Sequence, residues 1–314
     1  MVAHEYTEAG YPRRRVLKAC GIASSSYYYR PKPGSRGKRA SAVTFDTSGR
    51  CYSNVEIMHM VCEYLNREFV DYGYAKVTKW LQRKGFIINR KKVLRLMREQ
   101  GILLGRPKRP SSGKVWVKEL LPQTRRPFEY LEFDIKFVRI DGMGRHAMLL
   151  TVLDVLSRAN VGHILQWSIR KEDVIALFET IFRSIPLPEH VTVRSDNGSQ
   201  FEAGLVRDYF KERSVQQEFT RPATPEQNAH IEGYHSVVQR AVCDALELHN
   251  LQQAQQTFDR FRDFYNLERI HSGIGYRTPE EVLKMYGITI TTPKQPSTIT
   301  NNLLQNMTNI VSNF

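Results

Sequence analysis

Three carboxylates are the residues of this chain whose types and spacing could do chemistry: Asp134, Asp196 and Glu232. Asp134 lies in an alternating apolar run, Asp196 follows a short apolar run, and Glu232 lies in a helical pattern beyond a gap of 35 residues, 197 to 231. Carboxylate oxygens are the ligands that Mg²⁺ prefers, and a substrate phosphate can complete its coordination shell. A single carboxylate is far more often a solvated surface charge, but this placement predicts an enzyme that cuts and joins phosphodiesters in DNA.

A mixed sheet flanked by helices is predicted to position these carboxylates. Apolar residues at every second position of 130–137 predict a half-buried strand, with Asp134 on the face away from the main core. Asp196 would follow the fourth strand, at an edge where ligand sites collect in open α/β sheets. The predicted strands are 130–137, 146–153, 161–166, 191–193 and 216–220, and the predicted helices are 171–184, 201–213, 225–248 and 251–266.

The predicted helix 225–248 carries a polar stripe beside an apolar one. Asn228, Glu232, Ser236 and Gln239 follow one another at spacings of 4, 4 and 3 residues, so they share one face of a helix. A polar stripe next to a buried one can present Glu232 to the edge of the sheet.

The distribution of charge indicates a polyanionic partner. The 314 residues carry a net charge of +14, and 41% of them are hydrophobic, which suffices for two domains with real cores. Residues 1–124 contain 25 Lys and Arg against 9 Asp and Glu, whereas residues 125–314 contain 21 against 23. The first part therefore holds all the excess positive charge. Because neutralising phosphates releases counterions, this asymmetry favours DNA binding over a merely basic surface.

The basic part contains a predicted three-helix unit over residues 53–103, in which Gly85 ends one helix and Asn89 caps the next. Residues 76–109 include 12 basic residues and one acidic residue, Glu99. We interpret this unit as a helix-turn-helix-like module that grips duplex DNA, although a charged helical hairpin between copies would show the same pattern. The predicted DNA contacts are Lys76, Lys79, Arg83, Lys84, Arg90, Lys91, Lys92 and Arg95, together with Asn228 and Arg240 near Glu232.

Composition divides the chain into five segments. Residues 1–45 mix aromatic residues, Pro, Gly and positive charge, and we expect a basic, flexible N-terminal arm or a disordered tail there. We assign 46–105 to the helical DNA-binding domain, 106–127 to a linker rich in Pro and Gly, 128–288 to the catalytic core, and 289–314 to a polar C-terminal tail.

Several other classes of protein are disfavoured. The sequence has no apolar run long enough to span a membrane, no signal-peptide core, no CxxC pair among its four cysteines, and no G-x-x-x-x-G-K-[ST] loop. We therefore expect a cytoplasmic protein without a zinc finger or an ATP-driven step. His230 and His235 lie five residues apart, whereas helical metal pairs usually lie four apart, so structural or DNA-facing roles are favoured. Arg269 and His271 could equally contact DNA or pack in the core.

These patterns together resemble the DDE transposases of the retroviral-integrase superfamily, in particular the second-frame (OrfB-type) product of bacterial insertion sequences. The resemblance spans about residues 15–285, and besides the triad with its 35-residue gap it rests on residues 20–28, 72–104, Tyr265, Asn266, Arg269, His271 and 278–280. The family usually places Lys or Arg seven residues after the glutamate, where this chain has Gln239. Arg240 follows, but a helix rotates by ~100° per residue, so it faces another direction.

The resemblance implies a ribonuclease-H-like fold, a mixed five-stranded sheet with flanking helices, preceded by a small all-helical domain. It implies two Mg²⁺ ions per active site, with Mn²⁺ as a substitute; Asp134 would bridge both ions, and Asp196 and Glu232 would hold one each. It further implies 3′-end cleavage and strand transfer at insertion-sequence ends, double-stranded DNA partners, a homo-oligomer on the bacterial nucleoid, and a helix-turn-helix partner from the first reading frame. A nuclease that cuts without joining and an inactive DNA-binding regulator remain the alternatives.

Overall fold

The structure, a computed structural model, describes residues 2–29, 40–105, 124–221 and 225–289. The predicted C-terminal tail and most of the predicted linker lie outside these residues, so the domain boundaries proposed above stay predictions. The chain divides into two compact units, Met1–Ala42 and Val43–Phe314.

The first unit contains three short helices, α1 (Val2–Glu8), α2 (Arg13–Ala19) and α3 (Ser24–Tyr27). Ala3, Val16 and Leu17 are buried together, and Tyr27 packs against them. Residues 2–27 therefore contain helices that we did not predict, whereas the flexibility of the arm stays a prediction. The apolar residues of this stretch are few, but they fall on facing sides of helices of only one or two turns.

The second unit begins with the helices predicted from the basic part: α4 (Asn54–Leu65), α5 (Tyr74–Arg83) and α6 (Arg90–Glu99). The Asn89 side chain accepts a hydrogen bond from the Lys92 amide, and Gly85 has φ +91°, so both predicted caps are confirmed. A small sheet, which we did not predict, joins these helices; its strands are β1 (Val43–Asp46), β2 (Cys51–Ser53) and β3 (Phe86–Ile87).

The rest of the second unit is built on a five-stranded sheet in the order β6-β5-β4-β7-β8. Strands β4, β5 and β6 form an antiparallel meander, and β7 and β8 run parallel to β4. This is the predicted ribonuclease-H-like topology. The strands are β4 (Tyr130–Ile140), β5 (Arg145–Asp154), β6 (Asn160–Gln166), β7 (Val191–Ser195) and β8 (Val215–Phe219). The helices are α7 (Lys171–Ser184), α8 (Ser199–Glu202), α9 (Gly204–Glu212), α10 (Ala229–Val238), α11 (Leu251–Leu267) and α12 (Pro279–Lys284).

Helices cover both faces of this sheet. Phe133 packs with Phe178 and Phe210 on one face, whereas Val138 and Ile140 belong to a second core with residues of α10 and α11 on the other. The prediction that β4 is half-buried is therefore wrong, because its even-numbered face is covered as well. Asp134 does lie on the face opposite Phe133, as the alternation predicted.

The predicted helix 225–248 is interrupted in two places. A 3-10 turn, Pro225–Asn228, precedes α10, and a π-helical turn, Gln239–Cys243, follows it. The Asp244 amide donates to the Gln239 carbonyl five residues earlier at 2.8 Å, and the Gln239 Nε2 donates to the Asp244 carboxylate at 2.7 Å. These two hydrogen bonds between Gln239 and Asp244 stabilise the π-helical turn, which the helix propensities of the residues alone do not predict.

Candidate active site

Asp134 lies in the middle of the central strand β4, on the face that α10 covers. Its side chain is half-buried, and its Oδ1 accepts a hydrogen bond from the Ile135 amide at 2.8 Å. Its Oδ2 lies 3.4 Å from Nδ1 of His235, which is on α10. The strand therefore holds this carboxylate against the helix that also carries Glu232.

Asp196 lies one residue beyond β7, the parallel neighbour of β4. Glu132 is opposite Arg194 in the register of these strands, so continuing by two residues brings Asp196 level with Asp134. Burial, and then the negative charge of Asp134, raise the pKa of Asp196 above its ordinary value. The Gly198 amide, 3.1 Å from Asp196 Oδ1, acts in the opposite direction. The fold therefore brings two of the three predicted carboxylates together.

Glu232 is exposed on α10, between the buried residues Ile231 and Tyr234. In the part of the chain that the structure describes, no three Asp, Glu, His or Cys side chains are grouped closely enough to hold a metal ion. The structure thus brings Asp134 and Asp196 together and places Glu232 on the helix that packs over them. The pair fits a divalent cation, because a positive charge would relieve the repulsion that raises the Asp196 pKa, and carboxylates suit hard ions.

A groove of about 330 Å³ opens beside Asp134 and is lined by Lys136, His235, Ser236, Gln239 and Arg240. Lys136 follows Asp134 by two residues on the same face of β4, and we did not predict it as a site residue. The strand alternation carried that signal, since a basic residue two positions from a catalytic carboxylate must share its face.

Glu132 is a second residue that sequence reasoning missed, because it shares with Asp134 the face of β4 that we predicted to point away from the main core. Only 1% of Glu132 is exposed, and burial raises the pKa of its carboxyl to about 7 despite a hydrogen bond from the Ile231 amide. The charges of Arg158 and Arg194 also oppose that rise. His230, which we had favoured as structural or DNA-facing, places its Nδ1 2.8 Å from Glu132 Oε1.

The predicted DNA contacts differ in how accessible they are. Lys79, Arg83, Lys84, Arg90, Lys91 and Arg240 are exposed, and Lys76, Lys92 and Arg95 are half-buried. Arg83 pairs with Glu281, and Arg95 lies 3.0 Å from Glu99, so both already have acidic partners. Asn228 is only 5% exposed, so the surface contact predicted for it requires a change of structure. The other contacts stay predictions.

Arg240 has an acidic partner as well. Its Nε lies 3.2 Å from one oxygen of Asp71, and the other oxygen of Asp71 pairs with Arg269, of which only 2% is exposed. His271 packs edge-on against Tyr265, with ring centroids 4.6 Å apart. Burial, and then the charge of Arg269, lower the pKa of His271 to about 2. Of the two roles left open for Arg269 and His271, the structure supports packing.

No described helix combines the length and apolar character needed to cross a bilayer.

Comparisons with known proteins match most of the second unit. Residues 124–225 and 213–279 match the integrase core domain, and residues 55–111 match an HTH-like domain. An uncharacterized 31.7 kDa protein of insertion element IS407 from Burkholderia multivorans is 24% identical, covering 89% of this chain and 93% of its own length. The putative transposase InsK of IS150 from Escherichia coli is 24% identical, over 86% of this chain and 93% of its own length. The IS904 transposase from Lactococcus lactis is 25% identical, over 68% of this chain and 87% of its own length.

The catalytic core domain of BIV integrase aligns with 51% of this chain at 14% identity and a TM-score of 0.38, too low to carry an argument. The sequence matches are the informative ones, because the two integrase-core segments together contain all three predicted carboxylates.

Proposed function

We propose that this chain, which is a polynucleotidyl transferase of the DDE transposase type with an integrase core, frees the 3′ ends of an insertion sequence and joins them to target DNA. The observation that carries this proposal is the pairing of Asp134 and Asp196 on adjacent parallel strands. Two like charges held together are costly unless they share a positive ligand, so the pair is better explained by chemistry than by stability.

We propose that Asp134, Asp196 and Glu232 would hold two Mg²⁺ ions, for which Mn²⁺ could substitute. Bound ions of this kind activate a water or a 3′-hydroxyl and stabilise the leaving oxygen. The chain itself supplies orientation: β4 and β7 hold the two aspartates, and α10, which packs on β4, carries Glu232. No covalent intermediate is needed, so no side-chain nucleophile is assigned.

The groove beside Asp134 suits a strand of the DNA substrate. Lys136 and Arg240 supply positive charge there, and phosphate contacts of this kind position a nucleic acid without reading its sequence. We infer that the basic helices α5 and α6 bind the duplex at the element ends, by analogy with other helix-turn-helix modules. Because two ends must be held together, we also propose a homo-oligomer, aided by a first-frame partner. The named relatives of this chain come from bacteria, and we propose that it acts on the bacterial nucleoid.

The test incubates the purified chain with labelled DNA from the ends of its element and with Mg²⁺ or Mn²⁺. Asp134→Asn should abolish both nicked and joined products, whereas Asp208→Asn, the same change on the exposed face of α9, should leave them unchanged. Nicking without joining, even after the first-frame product is added, would favour a nuclease. DNA binding without cleavage under either metal would favour the inactive regulator.

A further inference from the structure

Glu132 is a buried carboxylate that joins the central strand to the helix carrying Glu232. Its Oε2 accepts hydrogen bonds from the amides of His230 and Ile231 at 3.0 and 2.9 Å, and its Oε1 lies 2.8 Å from the His230 Nδ1. All three contacts come from the first turn of α10, 98 or 99 residues away in sequence. These contacts tie the buried carboxylate of Glu132 to the start of α10.

The first turn of a helix leaves amide groups without partners, and an anion is the strongest acceptor for them. Most helices meet this need with a side chain at the preceding residue. In α10 that residue is Asn228. Its backbone has φ −118°, and its side chain makes no capping hydrogen bond. Glu132 replaces the missing cap from a different element, so the helix start is tied to β4.

The same strand contacts α10 a second time. Asp134 lies two residues after Glu132 on the same face of β4, and its Oδ2 is 3.4 Å from the His235 Nδ1. Glu232 falls between the two contacts, two residues after His230 and three before His235. The position of Glu232 along and around the helix is thus fixed by the strand that carries Asp134.

We propose that Glu132 is a positioning residue, which caps α10 from the neighbouring strand and thereby sets Glu232 at a fixed place relative to Asp134. Glu132 itself touches neither DNA nor metal in this scheme. Its effect is on the geometry of the triad, and a displacement of about 1 Å at such a site can cost about 100-fold in rate. The inference rests on the proposed function only for its activity measurement, because the capping itself can be measured without DNA.

A buried carboxylate could instead contribute to stability alone, and the chain contains a matched example. Asp154, at the end of β5, is fully buried and accepts hydrogen bonds from the amides of Phe128 and Ser157 at 2.9 and 2.8 Å. Its amide donors Phe128 and Ser157 lie outside α10, unlike those of Glu132. Asp154→Ala therefore reports what the loss of a buried, amide-bound carboxylate does to folding.

The experiment compares Glu132→Ala, Glu132→Gln and Asp154→Ala by hydrogen exchange with mass spectrometry, by DNA binding, and by nicking corrected for the folded fraction. Glu132→Ala should speed exchange in the peptide that covers 227–238 while leaving α7 unchanged, and should lower nicking about 100-fold with DNA binding kept. Glu132→Gln retains an oxygen that can accept from the two amides, so it should restore most of the slow exchange in 227–238 and most of the nicking. Asp154→Ala should destabilise the fold yet keep nicking per folded molecule.

Two results would overturn the proposal: exchange in α10 that Glu132→Ala leaves unchanged, or a loss of nicking that matches Asp154→Ala once folding is corrected. If Glu132→Ala does not fold, the same criteria apply to Glu132→Gln against Asp154→Asn. If the wild-type chain nicks no DNA, the proposed function fails, but the exchange comparison still decides whether Glu132 caps α10.

Discussion

At the scale of single residues, burial of Asp196 beside the charge of Asp134 destabilises the folded protein, and a bound metal ion would remove this destabilisation. Asp196→Asn keeps the oxygen that accepts from Gly198 and removes the repulsion with Asp134. Because Asp196 is exposed and screened, we expect a gain of about 0.5 kcal/mol, or about 1–2 °C in melting temperature, in the metal-free chain. Mg²⁺ should raise the melting temperature of the wild type more than that of the variant. A variant that melts lower without metal and responds to Mg²⁺ as the wild type does would contradict the assigned site.

Lys76 gives a prediction about pH. Burial, and then the charge of Arg269, lower the pKa of Lys76 to about 7. Below that pH Lys76 is charged in both the folded and the unfolded protein, and burial of its charge destabilises the folded protein. Between pH 7 and the usual lysine value near ~10.4, only the unfolded chain is protonated, so stability rises with pH. Lys76→Met should therefore stabilise the protein most below pH 7 and progressively less towards pH 10.

Denaturant unfolding at several pH values measures this difference. Lys79→Met is the control, because it makes the same change at an exposed position of the same helix. A stability difference for Lys76→Met that stays constant from pH 6 to pH 10 would show that the lysine is not buried as a charge.

At the scale of elements, the turn between β4 and β5 packs tightly against the segment that follows the π-helical turn. A Cβ added at Gly142 would lie 2.2 Å from the carbonyl oxygen of His249, and backbone atoms cannot move aside as a side-chain end can. We expect Gly142→Ala to destabilise the protein by about 1–3 kcal/mol, as overpacking usually does. Gly204→Ala is the control, since nothing lies within 4 Å of its added Cβ and its φ is not positive. Equal unfolding free energies for the two variants would contradict this contact.

Sequence periodicity was informative where elements are long and regular. Helix 171–184 was predicted with the observed bounds, and the alternation around Phe133 found the central strand and the face of Asp134. Strands β1 to β3 have only two to four residues each, too few for any period to be visible. The burial of Glu132 could not be predicted either, because its partners His230 and Ile231 come from a helix almost 100 residues away.

At the scale of the whole second unit, Asp71 joins the helical module to the catalytic core through Arg269 and Arg240. Asp71→Asn would leave the buried Arg269 without its counter-charge, and breaking a buried pair in this way typically costs about 3–5 kcal/mol. Glu268→Gln removes another bridge across the same junction, to Arg67, but both side chains are more than 40% exposed, so its cost should stay within about 1 kcal/mol. Denaturant unfolding of both variants measures this contrast. Similar losses of stability would mean that Arg269 finds another partner.

The parallel pairing of β4 with β7 also determines when during folding Asp134 and Asp196 can become neighbours. Strand β4 is joined to β5 by a short turn, so these two strands can pair early. Its other neighbour, β7, follows β5, β6 and α7 in the sequence, and in this pairing Tyr130 lies opposite Thr192. Contacts between residues so distant in sequence form late and slowly. Asp134 therefore acquires Asp196 as a neighbour only near the end of folding. A nascent or partly folded chain would then carry both aspartates and still lack the site at which we propose that DNA is cut.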